Sequence, residues 1–130
     1  TVQFWAPIQS NMVLQRGPSQ AAVYGIFQGN VTSEPKINVT MVGEGQTVTV
    51  QAEINTVHQP QYMPGYNTYW TWPGPFPTWK ALLPPQKAGG NYTITVSCPS
   101  CVNLDPSFRS ANITNVTFGD VIYCSGQSNM

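Results

Sequence analysis

Charged side chains are scarce in this sequence. Asp, Glu, Lys and Arg make up 8% of the 130 residues, and five acidic residues balance five basic ones, so the formal net charge is zero. Proteins that bind nucleic acid or anionic membrane surfaces need an excess of positive charge to attract the phosphates. We therefore expect neither nucleic acid nor a membrane as a partner.

Long apolar runs and a sustained helical spacing of apolar residues are also missing. No run approaches the roughly 18 residues that a transmembrane helix needs, and Pro or Gly interrupts most apolar stretches. Because 41% of the residues are hydrophobic, the 130 residues suffice for one domain with a core, but not for two.

The sequence does contain short runs in which β-branched or aromatic residues alternate with polar ones. Every second residue from Val48 to Ile54 is hydrophobic, which is typical of a strand with one buried face, and residues 43–45 (G-E-G) before it predict a tight hairpin. About eight short strands at this spacing indicate an all-β fold, an antiparallel β-sandwich of Ig-like or jelly-roll-like type. Strands are predicted near residues 3–5, 12–15, 21–27, 37–42, 47–55, 78–82, 92–97, 111–118 and 120–123.

Residues 59–77 interrupt this pattern with five prolines and a high density of aromatic side chains. Regular sheet pairing cannot run through such a segment, so we predict a long loop. Its aromatic residues could cover a sheet edge, form a protein interface or stack on sugar rings. His58 lies at its entrance, away from any Cys, Asp or Glu cluster, and is predicted to be solvated or packed. The candidate interaction residues are Tyr62, Tyr66, Tyr69, Trp70, Trp72 and Phe76.

Five Asn-x-Thr sequences predict N-linked glycans. Attached sugars would solvate a surface with so few charges, and they would place the chain in a eukaryotic secretory pathway, either outside the cell or in the lysosomal lumen. Alternatively, a strand surface rich in Thr and Asn generates such triplets by composition alone. The acceptors are Asn30, Asn38, Asn91, Asn112 and Asn115.

Two of the three cysteines, Cys98 and Cys101, form a C-P-S-C sequence. Redox sites share this spacing, but here it follows a strand instead of opening a helix in a βαβ unit, which favours a local structural disulfide. Cys124 would then be unpaired, with a pairing to Cys98 or Cys101 as the alternative. Three cysteines and one distant histidine do not make a ligand set, so we expect no metal and no cofactor.

The last residues lead from a predicted strand into a turn of small residues that contains Ser128. A nucleophilic serine needs a base to remove its proton, an acid to orient that base, and donors for the oxyanion. From the chemistry alone, residues 126–128 (G-Q-S) indicate a turn, because short Ser/Gly sequences often lack a catalytic role.

Residues 118–130 (F-G-D-V-I-Y-C-S-G-Q-S-N-M), however, resemble the nucleophile block of sialate O-acetylesterases, a branch of the SGNH (GDSL-like) hydrolases. Further phrases of that family have counterparts here in the same order and at similar spacing. They are residues 12–18 (M-V-L-Q-R-G-P), 22–25 (A-V-Y-G), 79–84 (W-K-A-L-L-P) and 88–94 (A-G-G-N-Y-T-I).

The resemblance implies that residues 1–118 are a β-sandwich preceding an α/β catalytic domain, and that residues 119–130 begin that domain. It makes Ser128 the nucleophile and gives Asp120 a structural role. Family members take the base from a later Asp-x-x-His segment and two oxyanion donors from later blocks, none of which occurs in these 130 residues. We therefore expect this chain alone to be inactive as an esterase.

Two alternatives lie outside catalysis. The chain could be a glycosylated subunit that assembles with other copies of itself into filaments by strand addition, through residues 2–5 or the apolar residues Val121, Ile122 and Tyr123. It could instead be a carbohydrate-binding module. The sequence thus suggests three partners: a missing catalytic domain, a second copy of this chain and N-linked glycans.

Overall fold

The computed structural model describes residues 1–27, 35–55, 61–62, 69–70, 77–101 and 105–126. Strands account for most of this part of the chain, and a single 3₁₀ turn at Pro106–Phe108 is the helical element within it. The strands are β1 (Val2–Phe4), β2 (Val13–Gln15), β3 (Ala22–Phe27), β4 (Asn38–Gly43), β5 (Gln46–Gln51), β6 (Glu53–Asn55), β7 (Gln61–Tyr62), β8 (Tyr69–Trp70), β9 (Thr78–Leu82), β10 (Gly89–Ser97) and β11 (Ser110–Gly119).

Two sheets pack against each other. One has four antiparallel strands in the order β1-β3-β9-β6, and the other has five in the order β2-β11-β10-β4-β5. Pairing in the five-stranded sheet is antiparallel except between β2 and β11, which run parallel. The predicted all-β sandwich is therefore confirmed, with the difference that one of its sheets is mixed.

The core lies between these two sheets and consists of hydrophobic side chains alone among the described residues. Trp79 of β9 is the largest of them and packs edge-on against Phe4 at a ring distance of 5.4 Å. On the five-stranded sheet, Tyr92 and Phe118 make a similar edge-on contact at 5.2 Å. These geometries suit the charge distribution of aromatic rings. The first contact links β1 to β9 across the intervening β3, and the second links the neighbouring strands β10 and β11.

The hairpin between β4 and β5 forms as predicted. Gly43 pairs with Gln46, and the two residues between them both have positive φ, 49° at Glu44 and 72° at Gly45. Such a two-residue turn matches the right-handed twist of the strands that it joins. The predicted alternation also holds, since Val48 and Val50 pack against the core.

The prediction of a single strand at residues 47–55 is wrong, because this stretch forms two strands, β5 and β6. The chain passes from one sheet to the other at Ala52, whose N–H donates to the carbonyl oxygen of Ile37 at 2.8 Å. β5 pairs with β4 in the five-stranded sheet, whereas β6 pairs with β9 in the four-stranded sheet. Hydrophobic alternation continues across the crossover because both strands face the same core, so the pattern gives no sign of it.

The proline- and aromatic-rich segment contains one short antiparallel ribbon among its described residues, in which Gln61 pairs with Trp70 and Tyr62 with Tyr69. The interaction roles predicted for this segment stay predictions. His58, Tyr66, Trp72 and Phe76, together with the side chains of Tyr62, Tyr69 and Trp70, lie outside the described part of the chain.

The predicted disulfide is confirmed between Cys98 and Cys101, while Cys124 is a free and exposed thiol. Both bridged cysteines are buried. The N–H of Cys98 donates to the carbonyl oxygen of Arg109 at 2.8 Å, so the bridge fixes the connection between β10 and β11.

Reduction of this disulfide is expected to lower the free energy of unfolding by about 2 kcal/mol, because the bridge closes a very short loop and so restricts the unfolded chain little. Urea unfolding with and without a reducing agent measures the difference. The Cys124→Ser variant is the control and should show the same loss, since it keeps the bridge. Equal stability before and after reduction would contradict the structural role.

Candidate functional site

Two of the sequence motifs lie side by side where the chain leaves the sandwich. β2, from residues 12–18, runs parallel to the end of β11, with Leu14 opposite Phe118 and Gln15 opposite Gly119. About a hundred residues separate these strands in the sequence, so the spacing of the motifs gives no sign of the pairing. The segment that leads toward Ser128 therefore starts from a position that β2 defines.

Gln15 and Arg16 hold the first residues of this segment, in an arrangement that we call the exit clamp. The N–H of Arg16 donates to the carbonyl oxygen of Gly119 at 2.9 Å, and its Nε donates to Asp120 Oδ1 at 2.8 Å. The Oε1 of Gln15 accepts from the N–H of Val121 at 3.0 Å. The exit clamp thus fixes three consecutive residues, Gly119 to Val121, against the edge of the five-stranded sheet.

The strand predicted at residues 120–123 is wrong. Residues 120–126 form no strand, and the described part of the chain offers no neighbouring strand to pair with them. The side chains of Val121, Ile122 and Tyr123 are 53%, 82% and 88% exposed. These residue types favour strands only when the surrounding structure supplies a sheet to join. Residues 2–5 are the other segment proposed for filament assembly, and of these Val2–Phe4 pairs with β3 of the same chain.

The ion pair of the exit clamp is expected to contribute less than about 1 kcal/mol to stability, because both side chains are exposed and solvent screens their attraction. A double-mutant cycle with Arg16→Ala and Asp120→Ala, followed by urea unfolding, measures the coupling. Lys36→Ala is the matched control for loss of an exposed cation. A coupling above about 2 kcal/mol would contradict this expectation.

A second feature is a cavity of about 300 Å³ on the four-stranded sheet. Gly25 forms part of its wall, and a side chain there would collide with the Gln3 carbonyl oxygen and the Trp79 ring, so the close approach of these strands requires glycine. The cavity is not visible in the sequence, because nothing in the local residue pattern shows that its lining residues meet. It is lined by Trp5, Tyr24, Gly25, Ile26, Thr78, Trp79 and Lys80.

Four of the five predicted glycan acceptors lie in the described part of the chain. Asn38 is half-buried on β4, whereas Asn91, Asn112 and Asn115 are exposed. Asn91 Nδ2 donates to Asn115 Oδ1 at 3.2 Å, and Asn115 Nδ2 donates to Asn11 Oδ1 at 2.7 Å. Two acceptors that are distant in sequence are therefore neighbours in space.

Two further predicted site residues, Ser128 and Asn30, lie outside the described residues. Within the described ranges, no three His, Cys, Asp or Glu side chains converge as a metal site would require. The same ranges contain no helix with the length and apolarity needed to cross a membrane.

The known proteins that this chain resembles in sequence are sialate O-acetylesterases. The sialate O-acetylesterase of Rattus norvegicus is 30% identical over 128 residues, which cover 98% of this chain and 19% of the rat protein. The chain is similar to sialate O-acetylesterases along almost its whole length. The Mus musculus sialate O-acetylesterase is also 30% identical, and that of Homo sapiens is 27% identical, over the same share of the chain. No family model matches the sequence.

The resemblance drawn from the motifs is thereby confirmed, and it extends beyond them. The chain spans about one fifth of the length of the sialate O-acetylesterases that it matches. The similarity includes β2 and β11, so the strands that carry the exit clamp lie within the shared part.

Proposed function

We propose that this chain consists of the non-catalytic β-sandwich region and the first residues of the catalytic domain of a sialate O-acetylesterase-like protein, which hydrolyses O-acetyl esters of sialic acids or related sugars. The observation that carries the proposal is similarity over 98% of the chain to proteins about five times as long, all of them sialate O-acetylesterases. In this proposal Ser128 is the nucleophile, and the remainder of the catalytic machinery belongs to a domain that follows it.

The chemistry requires more than these 130 residues. In an esterase with a serine nucleophile, Ser128 Oγ attacks the acetyl carbonyl carbon while a histidine takes its proton, and the sugar hydroxyl leaves with that proton. Water then hydrolyses the acetyl-serine. The resemblance assigns the histidine and its acidic partner to a later segment, so the present chain supplies the nucleophile and its support.

The exit clamp gives the β-sandwich a role in this mechanism. Arg16 and Gln15 fix the backbone at Gly119 and Val121, nine and seven residues before Ser128, and so act as positioning residues. A nucleophile must be held close to its productive geometry, which rigid elements achieve better than free loops. The exposed apolar side chains at residues 121–123 would pack into the catalytic domain, which would also pair their backbone.

An acetyl-ester assay tests the proposal on two forms of the protein. The complete polypeptide is expected to hydrolyse 4-nitrophenyl acetate and O-acetylated sialic acid, whereas residues 1–130 alone should not exceed the uncatalysed rate. Hydrolysis by the short chain would contradict the need for a later histidine. A complete polypeptide that leaves both esters intact would overturn the proposed function.

We further propose that the protein is an N-linked glycoprotein of the secretory pathway, either secreted or lysosomal. Exposed acceptors at Asn91, Asn112 and Asn115, a disulfide and a surface with few charges support this location. Mass spectrometry before and after enzymatic deglycosylation checks it.

Carbohydrate binding is a second candidate function, which the cavity on the four-stranded sheet favours. Aromatic rings of Trp5 and Tyr24 offer flat apolar faces, while the side chains of Thr78 and Lys80 offer a hydroxyl and an ammonium group. This combination of a stacking surface with a few polar groups suits a sugar ring.

The Tyr24→Ala variant is expected to weaken sugar binding by about fivefold or more, which corresponds to a typical aromatic contact. Titration calorimetry with sialic acid and with neutral hexoses measures the affinity. Leu82→Ala is the matched control, because Leu82 is exposed on a neighbouring strand and does not line the cavity. Equal losses in both variants, or no binding by the parent chain, would contradict this second function.

A further inference from the structure

β5 is an edge strand with one side unpaired. Its six residues pair with β4 in an unbroken register from Asn38–Gln51 to Gly43–Gln46, without a bulge. On its other side β5 has no strand neighbour among the described residues. The side chain of Gln46, at the start of β5, donates from Nε2 to Gln86 Oε1 at 2.7 Å. A row of backbone N–H and C=O groups is therefore available for another strand.

The remaining edges of the two larger sheets are shorter. β1, β2 and β6 have three residues each, half the length of β5. The Gln3 carbonyl of β1 accepts from Trp79 Nε1 at 3.3 Å, and β6 carries the charged Glu53. Natural proteins protect edges with charges, prolines, bulges or short strands, and β5 has none of these devices.

The side chains of β5 are uncharged on both faces. Thr47, Thr49 and Gln51 are exposed, whereas Val48 and Val50 pack toward the core. The hydroxyls of Thr49 and Thr40 on the neighbouring strand lie 3.0 Å apart, which shows that threonines on this face can form a hydrogen-bonded pair across strands.

The sequence of β5 is complementary to itself when two copies of the strand run antiparallel. With a two-fold axis at Thr49, Thr49 faces Thr49 of a second copy, Val48 faces Val50, and Thr47 faces Gln51. Hydroxyls and amides then meet on the outer face and valines on the inner face, with no like charges opposed. If the register were shifted by one residue, valines of one copy would lie opposite threonines of the other, and the apolar and polar faces would no longer match.

We propose that β5 pairs antiparallel with β5 of a second copy of this chain, so that two five-stranded sheets become one sheet of ten strands. The contact is isologous and closes on itself, giving a dimer with no free β5 edge instead of a filament. The zero net charge of the chain removes general repulsion between the copies. The dimer rests on the fold alone and is independent of the proposed esterase role.

A cysteine cross-link tests both the contact and its register. In a Cys124→Ser background, which removes the free thiol, Thr49→Cys would place two cysteines directly opposite each other, at about 4.5–5.5 Å between Cα atoms. That spacing allows a disulfide. The matched control, Thr47→Cys, would place its two cysteines four residues apart along the strands, roughly 13 Å, which is too far.

Mild oxidation of the chain, followed by non-reducing electrophoresis and peptide mapping, is expected to yield a covalent dimer with Thr49→Cys and not with Thr47→Cys. Equal cross-linking of both variants, or of neither, would overturn the proposal. As a second measurement, Thr49→Lys should give a monomer by sedimentation at concentrations where the parent chain and the control Ser110→Lys are dimers. A parent chain that sediments as a monomer at every concentration would also overturn it.

Discussion

The Ser128→Ala variant of the complete polypeptide is expected to lose at least about a thousandfold in kcat for acetyl-ester hydrolysis, because no other group can take the place of the attacking oxygen. KM for the ester should change much less, since a methyl group in place of a hydroxyl leaves the binding surface nearly intact. Initial rates over a range of substrate concentrations separate the two effects.

The matched control for this experiment is Ser125→Ala, which removes the other hydroxyl of the same short segment. Ser125 is exposed and is not the residue that the family resemblance assigns as the nucleophile. Its activity should stay within a few fold of the parent. Loss of activity in Ser125→Ala together with retention in Ser128→Ala would show that the nucleophile was assigned to the wrong serine.

The Trp79→Ala variant is expected to lower the free energy of unfolding by about 3–5 kcal/mol, a large part of the stability of a domain of this size. Trp79 is only 1% exposed and packs edge-on against Phe4. Its Nε1 donates to the carbonyl oxygens of Gln3 and Ile26, both at 3.3 Å. The substitution therefore leaves a cavity and removes a link between three strands.

Urea unfolding of the 130-residue chain measures this loss, with Leu82→Ala as the control on the same strand. Leu82 is about half exposed, so its truncation should cost under about 1 kcal/mol. Trp79→Phe should fall between the two variants, because it refills part of the space but has no N–H to donate. Equal losses for Trp79→Ala and Leu82→Ala would contradict the placement of Trp79 in the core.

The features that the sequence predicts well are local. Alternation from Val48 to Ile54 identifies the face that packs on the core, because side chains in a strand point to opposite sides at every step. Gly45 and its neighbours predict the hairpin, since positive φ is a property of single residues. The Cys98–Cys101 bridge is similarly local, because its two cysteines are only three positions apart in the sequence.

The features that the sequence does not predict depend on contacts between distant parts of the chain. Neither the parallel pairing of β2 with β11 nor the exit clamp is visible in the spacing of residues, although Gln15 and Arg16 lie in a motif that the resemblance includes. The predicted strand at residues 120–123 fails for the same reason, because a strand needs a neighbour and its side chains alone do not supply one. The family resemblance, in contrast, proposes Ser128 as the nucleophile from the sequence alone.

The most direct test of the proposed function is to label the complete native polypeptide with a fluorophosphonate, which reacts with activated serines, and to locate the adduct by peptide mapping. We predict one adduct, on Ser128, in a polypeptide that continues beyond Met130. An adduct on another serine, or no adduct in active material, would contradict the assignment of this chain as the support for an esterase nucleophile.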